Sequence, residues 1–370
     1  MITYKNITGL HLELTTKCNA FCPMCNRNYR GKVRENLKLV ELSLKDCKKI
    51  LDVDFLKQLK LISLCGVLGE PVCNSELFEI LDYIYSINKE IVINMYTNGS
   101  IHTVEWWKNL AKHLKKGRVI FGIDGLKNIS ELHRVNTNFD RVISHAKAFI
   151  SSGGQAQWDY IVFKHNEHQV DEARKLSEEL GFVDFQIKKT SRFFKTLYEK
   201  DEYLDSTILE YGKHPVFNRK GEIVYYLELP SNKEYRNNME DVIFDIIKDN
   251  ESFNNYLDKV YIDCQAIKTG GVFISAFGEV YPCCTVYQQV CYGKLFGVTD
   301  KTELNEYNIY KKYNISAFDY SIKEIVEGGF FKEIQDSFMK KDIKSGKCKS
   351  CSRTCGKNLD IHGAVHTKGV

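Results

Sequence analysis

The chain has 370 residues, 43% of them hydrophobic and 27% charged, and a formal net charge of +4. That length supports a sizeable core and two domains, the small net charge does not point to a nucleic-acid partner, and no apolar run is long enough for a membrane helix. The start, Met1 to Asn6, has no signal-peptide core, so the 13 cysteines are expected in a reducing, cytoplasmic setting, where clustered thiols favour metals over disulfides.

Residues 1–190 alternate strand and helix signals. Strands are predicted at 10–14, 61–65, 91–96, 118–123, 157–163 and 183–188, with helices between them. Ser43-Leu44-Lys45-Asp46 resembles a capping box. Asn74-Ser75 is placed to cap a helix whose Leu77, Ile80, Leu81, Ile84 and Ile87 recur at helical spacing. A helix over Phe139–Ser152 ends at Gly153-Gly154, and one over Gln169–Leu180 ends at Gly181. Such alternation predicts a parallel α/β sheet. Residues 191–262, rich in Tyr, Asp, Glu and Lys, break the pattern and read as a linker or insert with a helix or two. Beyond them, Val272–Ala276 and Glu279–Cys283 flank Phe277-Gly278 as a hairpin, and Phe330–Lys341 is a helix candidate.

The first strand runs into Cys18-Asn19-Ala20-Phe21-Cys22-Pro23-Met24-Cys25. Three thiols so close together can converge on one soft metal centre, and three ligands on a four-iron cube leave one iron open for chemistry. A closed zinc site and reduced core thiols are the alternatives. The second strand is followed by Gly66-Val67-Leu68-Gly69-Glu70-Pro71, the third by Thr97-Asn98-Gly99-Ser100, and the fourth by Gly122-Ile123-Asp124-Gly125. All four motifs fall at carboxyl ends of predicted strands, where parallel α/β folds place their ligand sites.

These four motifs, in this order, resemble those of the radical S-adenosylmethionine (SAM) superfamily over roughly residues 8–190. The resemblance implies a partial (β/α)6 TIM-type barrel in which Cys18, Cys22 and Cys25 hold a [4Fe–4S] cluster. SAM would chelate the open iron, and Gly69, Glu70 and Pro71 would hold its amino group. Thr97, Asn98 and Gly99 would lie near the ribose, Asp124 in the Ser-Ile-Asp-Gly-like turn, and Arg134 by the SAM carboxylate. An electron from an external flavodoxin- or ferredoxin-type donor would cleave SAM to a 5′-deoxyadenosyl radical that abstracts hydrogen from a substrate C–H bond. Two departures stand out. Met24 replaces the usual aromatic residue before the third cysteine, its thioether still able to cover an adenine face, and Gly122 replaces the usual Ser.

The C-terminal cysteines, Cys264, Cys283, Cys348, Cys351 and Cys355 with Cys284 adjacent, resemble a SPASM/twitch-type extension: a small hairpin-plus-helix iron–sulfur domain. They suffice for one auxiliary [4Fe–4S] cluster bound by four of the five, with a four-cysteine zinc site as the alternative. The expected division is 1–190 barrel, 191–262 insert and 263–370 auxiliary domain. Cys47 and Cys65 are expected to be buried and inert; Cys73, Cys284 or Cys291 is a candidate hydrogen-atom donor.

The expected function is modification of a peptide or protein, with the Tyr-rich 198–261 stretch lining a groove. Only 17 residues precede Cys18, so a peptide substrate would call for a separate recognition protein, or none. Dehydrogenation or epimerisation of a small polyol or amino sugar is the alternative, and a non-catalytic iron–sulfur protein the second. No nucleic acid or membrane partner is expected.

Overall fold

The computed structural model describes residues 2–190, 192–194, 212–237, 250–295 and 305–356. Its strands are β1 (Gly9–Leu12), β2 (Asn28–Tyr29), β3 (Lys32–Val33), β4 (Leu61–Leu64), β5 (Val92–Thr97), β6 (Gly117–Gly122), β7 (Ala156–Ile161), β8 (Asp184–Lys188), β9 (Lys213–Phe217), β10 (Ile223–Glu228), β11 (Gly271–Ile274) and β12 (Val280–Tyr281). Eight of them form one sheet in the order β12-β11-β1-β4-β5-β6-β7-β8. Every pairing from β11 to β8 is parallel, and β12 closes the edge as an antiparallel hairpin arm. The six strands read from the sequence are β1, β4, β5, β6, β7 and β8, the first five each followed by its helix or helices, and they form an open, partial barrel. The expected C-terminal hairpin is also present, and β11 pairs directly with β1, so it extends the barrel's own sheet.

Strand pleating splits the sheet into two chemistries. Ile62, Leu64, Ile93, Met95, Val119, Phe121 and Trp158 point one way and pack with Ile80, Leu81, Ile84, Trp107, Leu110, Ala146 and Phe149 of the covering helices. Each such large side chain contributes about 1.5–3 kcal/mol when fully buried. The alternate residues His11, Ser63 and Asn94 share one register row with Arg118 on the opposite face. There a polar chain runs across three strands. Arg118 Nη1 donates to Gln157 Oε1 at 2.9 Å, Gln157 Nε2 to Asp159 Oδ1 at 2.6 Å, and Lys188 Nζ lies 3.4 Å from Asp159 Oδ2.

The Ser43 capping box forms as expected, with Asp46 as its third residue. The Asn74 cap does not. The helix Leu77–Ile87 starts after Glu76 with no side-chain cap, and Asn74 Nδ2 instead donates to the backbone oxygens of Leu14 and Leu42 at 3.2 and 2.8 Å. The insert differs from its expectation too. A helix at Asn250–Asp258 is present, but β9 and β10 form an antiparallel hairpin that the sequence reading had left as linker. Tyr198, Tyr203 and Tyr211 of the expected groove lie outside the described residues. The hairpin's Val216, Leu227 and Leu229 join Met24, Phe163 and Phe193 in a second small core, which seats the insert on the cysteine loop.

Candidate active site

The loop after β1 carries the three thiols and is clamped on both sides. Glu70 N donates to Lys17 O at 2.8 Å, Phe21 N to Val135 O at 2.8 Å, and Asn136 Nδ2 to Asn19 O at 2.6 Å. Within the loop, Cys25 N bonds Cys22 O at 3.1 Å, and Asn28 Nδ2 bonds the same oxygen at 3.1 Å. Buried Arg27, absent from the sequence reading, ties the loop to the next motif by donating to Thr16 O and, at 3.1 Å, to Leu68 O. Glu13 does the same from β1, its Oε1 accepting Leu68 N at 2.6 Å. The glycines of Gly66-Val67-Leu68-Gly69 are demanded by this closeness: a Cβ on Gly69 would stand 1.7 Å from Thr15 O.

Cys18, Cys22 and Cys25 are all reduced and half-buried. Burial raises the Cys18 thiol well above its ordinary range, with the charges of Glu70, Cys22 and Cys25 adding to the effect. Burial pushes Cys22 up to about 11, opposed by the Arg134 cation. The structure thus gathers three sulfurs and a carboxylate at one place where their negative forms repel each other. Such a donor set fits an iron–sulfur cluster, whose cations relieve that repulsion. Among the described residues, no three His, Cys, Asp or Glu side chains form a group suited to a single metal ion.

Glu70 is buried. Its Oε2 accepts Asn98 N at 2.8 Å, while Oε1 has no hydrogen-bond partner among the described residues. Burial raises its carboxyl to about 7. A buried oxygen without a partner is costly unless a ligand supplies one, and an ammonium donor fits it. Pro71 opens the short turn Pro71–Cys73 that fixes Glu70 at its head.

The Thr97-Asn98-Gly99 turn follows β5. Gly99 has φ +68°, and a Cβ there would meet the Phe121 ring at 2.7 Å, so only glycine suits it. Asn98 is engaged within the protein: Nδ2 donates to Asn19 Oδ1 at 3.0 Å and approaches Cys18 Sγ at 4.0 Å, and Oδ1 accepts from Ser100 N and Oγ. Its evident task is to hold the cysteine loop against the turn. Met24 is buried in the second core, against the insert hairpin.

Asp124 is wholly buried after β6. Its Oδ2 accepts from His133 Nδ1 at 2.7 Å and Arg134 Nε at 2.6 Å, and its Oδ1 from Ile161 N at 2.7 Å. Burial alone would raise its carboxyl; the Arg134 charge and the His133 bond overcome that and hold it at about 2. Asp124 therefore positions Arg134. Gly122 completes the arrangement, because Arg134 Nη2 lies 2.5 Å from where a Cβ on residue 122 would be. Arg192, also missed, donates to Met24 O, and its charge reaches Cys22, Cys65 and His133. It lies just beyond β8, a strand end of the kind that marked the other motifs.

The second constellation also gathers. Cys264 lies near Cys355 and Cys283, Cys283 near Cys355, and Cys351 near Cys348 and Cys283, with Cys351 N donating to Cys348 Sγ at 3.4 Å. Asp263 N donates to Cys355 O at 2.7 Å, joining the two ends of the set. Of the remaining thiols, Cys47 is buried in its helix as expected and Cys73 is half-buried. Cys65 corrects its expectation. It sits one residue past β4 and is half-buried, because Leu64 takes the helix-facing side and leaves Cys65 on the polar one, and burial still pushes its thiol up to about 12. It lies close enough to Cys284 to raise that thiol, although burial is the larger cause. Cys291 is buried.

Residues 12–176 match the radical SAM superfamily. This segment is similar to a radical SAM domain. The chain is 31% identical over 144 residues, 37% of this chain, to a GTP 3′,8-cyclase of Clostridium acetobutylicum, and 27% identical over 244 residues, 65% of this chain, to one of Helicobacter pylori. The match spans 41% and 63% of those relatives' lengths. Radical SAM superfamily members are enzymes that use a [4Fe–4S] cluster and SAM. In fold, the chain resembles Streptococcus suis SuiB, with a TM-score of 0.55 at 15% identity, covering 94% of this chain and 78% of that one. It also resembles anSMEcpe with bound AdoMet, with a TM-score of 0.52 at 18% identity, covering 90% and 81%. Among the described residues no helix is long and apolar enough to cross a membrane.

Proposed function

We propose that the chain is a radical SAM enzyme that removes a hydrogen atom from a C–H bond of a peptide or protein. The observation that carries this reading is Glu70 Oε1, buried and without a partner among the described residues, beside three clustered thiols and the Arg134 guanidinium. Cys18, Cys22 and Cys25 would hold the [4Fe–4S] cluster, Glu70 the SAM ammonium and Arg134 its carboxylate. When bound, cluster and SAM together supply one electron and a 5′-deoxyadenosyl radical. The chain's own residues do the rest. Asp124 fixes the Arg134 fork, which suits a carboxylate. Asn98 and Arg27 keep the cysteine loop in register with the Glu70 turn. The insert hairpin covers the loop at Met24, where exclusion of water limits side reactions.

Cys264, Cys283, Cys348, Cys351 and Cys355 would furnish four ligands to one auxiliary [4Fe–4S] cluster, an acceptor for the electron left by a net oxidation. The division into a barrel (1–190), an insert (191–262) and an auxiliary domain (263–370) belongs to the same reading, as do an external one-electron donor and a separate recognition protein. The peptide assignment is supported by the fold shared with SuiB, solved with its precursor peptide SuiA at a TM-score of 0.53. A small hydrophilic substrate, such as a polyol or amino sugar, is the second reading. It is favoured by the polar row Arg118, Gln157, Asp159 and Lys188 on the inner face, and a nucleotide belongs with it on the strength of the GTP 3′,8-cyclase relatives.

The test is anaerobic reconstitution with iron and sulfide, followed by an assay of 5′-deoxyadenosine release from SAM with dithionite. Release that disappears in Cys18→Ala is the expected result. No release from fully loaded protein, with peptide or small polar candidates present, would overturn the reading.

A further inference from the structure

Two hairpins far apart in the sequence meet beside the cysteine loop. The β2–β3 hairpin follows closely on Cys25 and is tied to it, Asn28 N donating to Cys25 O at 2.9 Å. Its turn presses on the turn of β9–β10: Gly31 has φ +76°, and a Cβ there would stand 2.0 Å from Asn218 O. The β9–β10 hairpin reaches the loop itself, with His214 Nε2 3.3 Å from Pro23 O. The two turns and the segment after β3 carry Arg30, Lys32, Arg34, Lys38, Arg219 and Lys220 against two carboxylates, Glu35 and Glu222. These few residues hold as much net charge as the +4 of the whole chain, so the remaining charges formally cancel. Lys32, Lys38, Arg219 and Lys220 are exposed. The guanidiniums lie over aromatic rings: Arg34 4.8 Å from the centre of Tyr29, Arg30 5.7 Å from the same ring and 6.0 Å from Phe217, and Arg219 5.2 Å from Phe21, the neighbour of Cys22. Such stacking holds a cation in place without neutralising it. Arg30 takes φ +46°, a turn conformation that Asn or Gly holds at less cost, so its charge and not the turn accounts for arginine there.

We propose that this basic patch is the docking surface for an acidic one-electron carrier protein of the flavodoxin class. The inference rests on the radical SAM reading above, in which the cluster at Cys18, Cys22 and Cys25 takes up one electron; the carrier's reduced flavin gives it up and is left as the semiquinone. Electron transfer between proteins falls steeply with distance, so the carrier has to sit against the loop that holds the cluster, and the patch lies there. Carriers of this class are strongly acidic, and a fixed group of cations both steers them and sets their orientation. A small, charge-rimmed contact also suits a partner that must leave after each electron.

The test uses the full-length, anaerobically reconstituted protein and an acidic flavodoxin with its reductase. Lys32→Glu, Arg219→Glu and Lys220→Glu are combined in one variant, and Lys112→Glu, Lys115→Glu and Lys175→Glu, exposed on outer helices, in a control of equal charge. Flavodoxin binding is followed by biolayer interferometry between about 50 and 300 mM salt, a range over which exposed charges become screened. The wild type should associate with flavodoxin at a rate that falls steeply with salt. The patch variant should associate about 10- to 100-fold more slowly at low salt, with little salt dependence left, while the control stays near the wild type. The patch variant should also need more flavodoxin for half-maximal 5′-deoxyadenosine release, with dithionite-driven release unchanged. Wild-type binding by the patch variant, equal losses in both variants, or no binding of flavodoxin by the wild type would each overturn the proposal. So would an equal fall in dithionite-driven release, which would assign the patch to the loop or to an acidic substrate. Should the triple variant fail to fold, Lys32→Glu with Lys220→Glu decides. If the wild type releases no 5′-deoxyadenosine with dithionite, the radical SAM reading fails first, before any variant is compared.

Discussion

Gly122→Ser, which restores the residue usual in the superfamily, should weaken SAM binding in this chain. The new Cβ would stand 2.5 Å from Arg134 Nη2 and 2.9 Å from Cζ, whereas ordinary contact begins at 3.4 Å, so the guanidinium must retreat by about 0.9 Å. It cannot pivot freely, because Nε is bonded at 2.6 Å to Asp124, which is buried and pinned in turn by His133 and Ile161 N. At the proposed SAM site, a displaced Arg134 would give up charge-assisted bonds to the SAM carboxylate, worth about 1.5–3 kcal/mol. That is roughly a 10- to 100-fold rise in the dissociation constant. The assay is isothermal titration of SAM into the anaerobically reconstituted protein, with a thermal melt to confirm that the fold is kept. In an Arg134→Ala background the Gly122→Ser change should add nothing, since the clash partner is gone. Wild-type affinity in Gly122→Ser, or an equal loss in both backgrounds, would refute the coupling of the two positions.

Two further outcomes follow from the same cluster of groups. The Asp124 carboxyl is held at about 2, below its ordinary 3.8, so its stabilisation is complete above the ordinary value and is lost as pH falls through the folded one. This contributes about 2 kcal/mol to the acid dependence of unfolding. Urea titrations between pH 5 and pH 2 should therefore show a steeper loss in the wild type than in Asp124→Asn, and equal slopes would sink the argument. Asp124→Asn should itself be less stable, because it takes the charged partner from the half-buried Arg134 guanidinium. Glu70→Gln keeps the shape and removes the charge proposed to meet the SAM ammonium. It should lower SAM affinity about 10- to 100-fold, in line with a charged hydrogen bond, while iron bound by Cys18, Cys22 and Cys25 is unchanged; loss of iron together with affinity would place Glu70 in the cluster loop's folding instead.

What was legible in the sequence depended on the kind of constraint. The six barrel strands and the terminal hairpin could be read because pleating writes itself as alternation and because the turns after β4 and β5 need glycine for backbone reasons that no partner can relax. Gly69 against Thr15 O and Gly99 at positive φ are of that kind. The β9–β10 hairpin carried a weaker signal. Pro215 demotes its first arm, and Val224 and Tyr226 are exposed on the second; the Asn218–Glu222 turn with Gly221 between two apolar runs was the available clue. The Asn74 cap was misread because its Oδ1 accepts from Glu76 N at 2.9 Å, one residue ahead of the helix, while its Nδ2 ties the turn to Leu14 and Leu42, distant in sequence. Arg27 and Arg192 escaped for a related reason: each acts across the fold on a backbone oxygen that sequence spacing does not bring near. The Gly122 departure shows how the two kinds of information combine. Seen alone it is a missing hydroxyl; with Arg134 lying where the side chain would be, it is the space that a cation fills beside the proposed SAM site. A substitution at a motif position is therefore best read together with whatever residue fills the volume it vacates, and the Gly122→Ser titration decides whether that holds here.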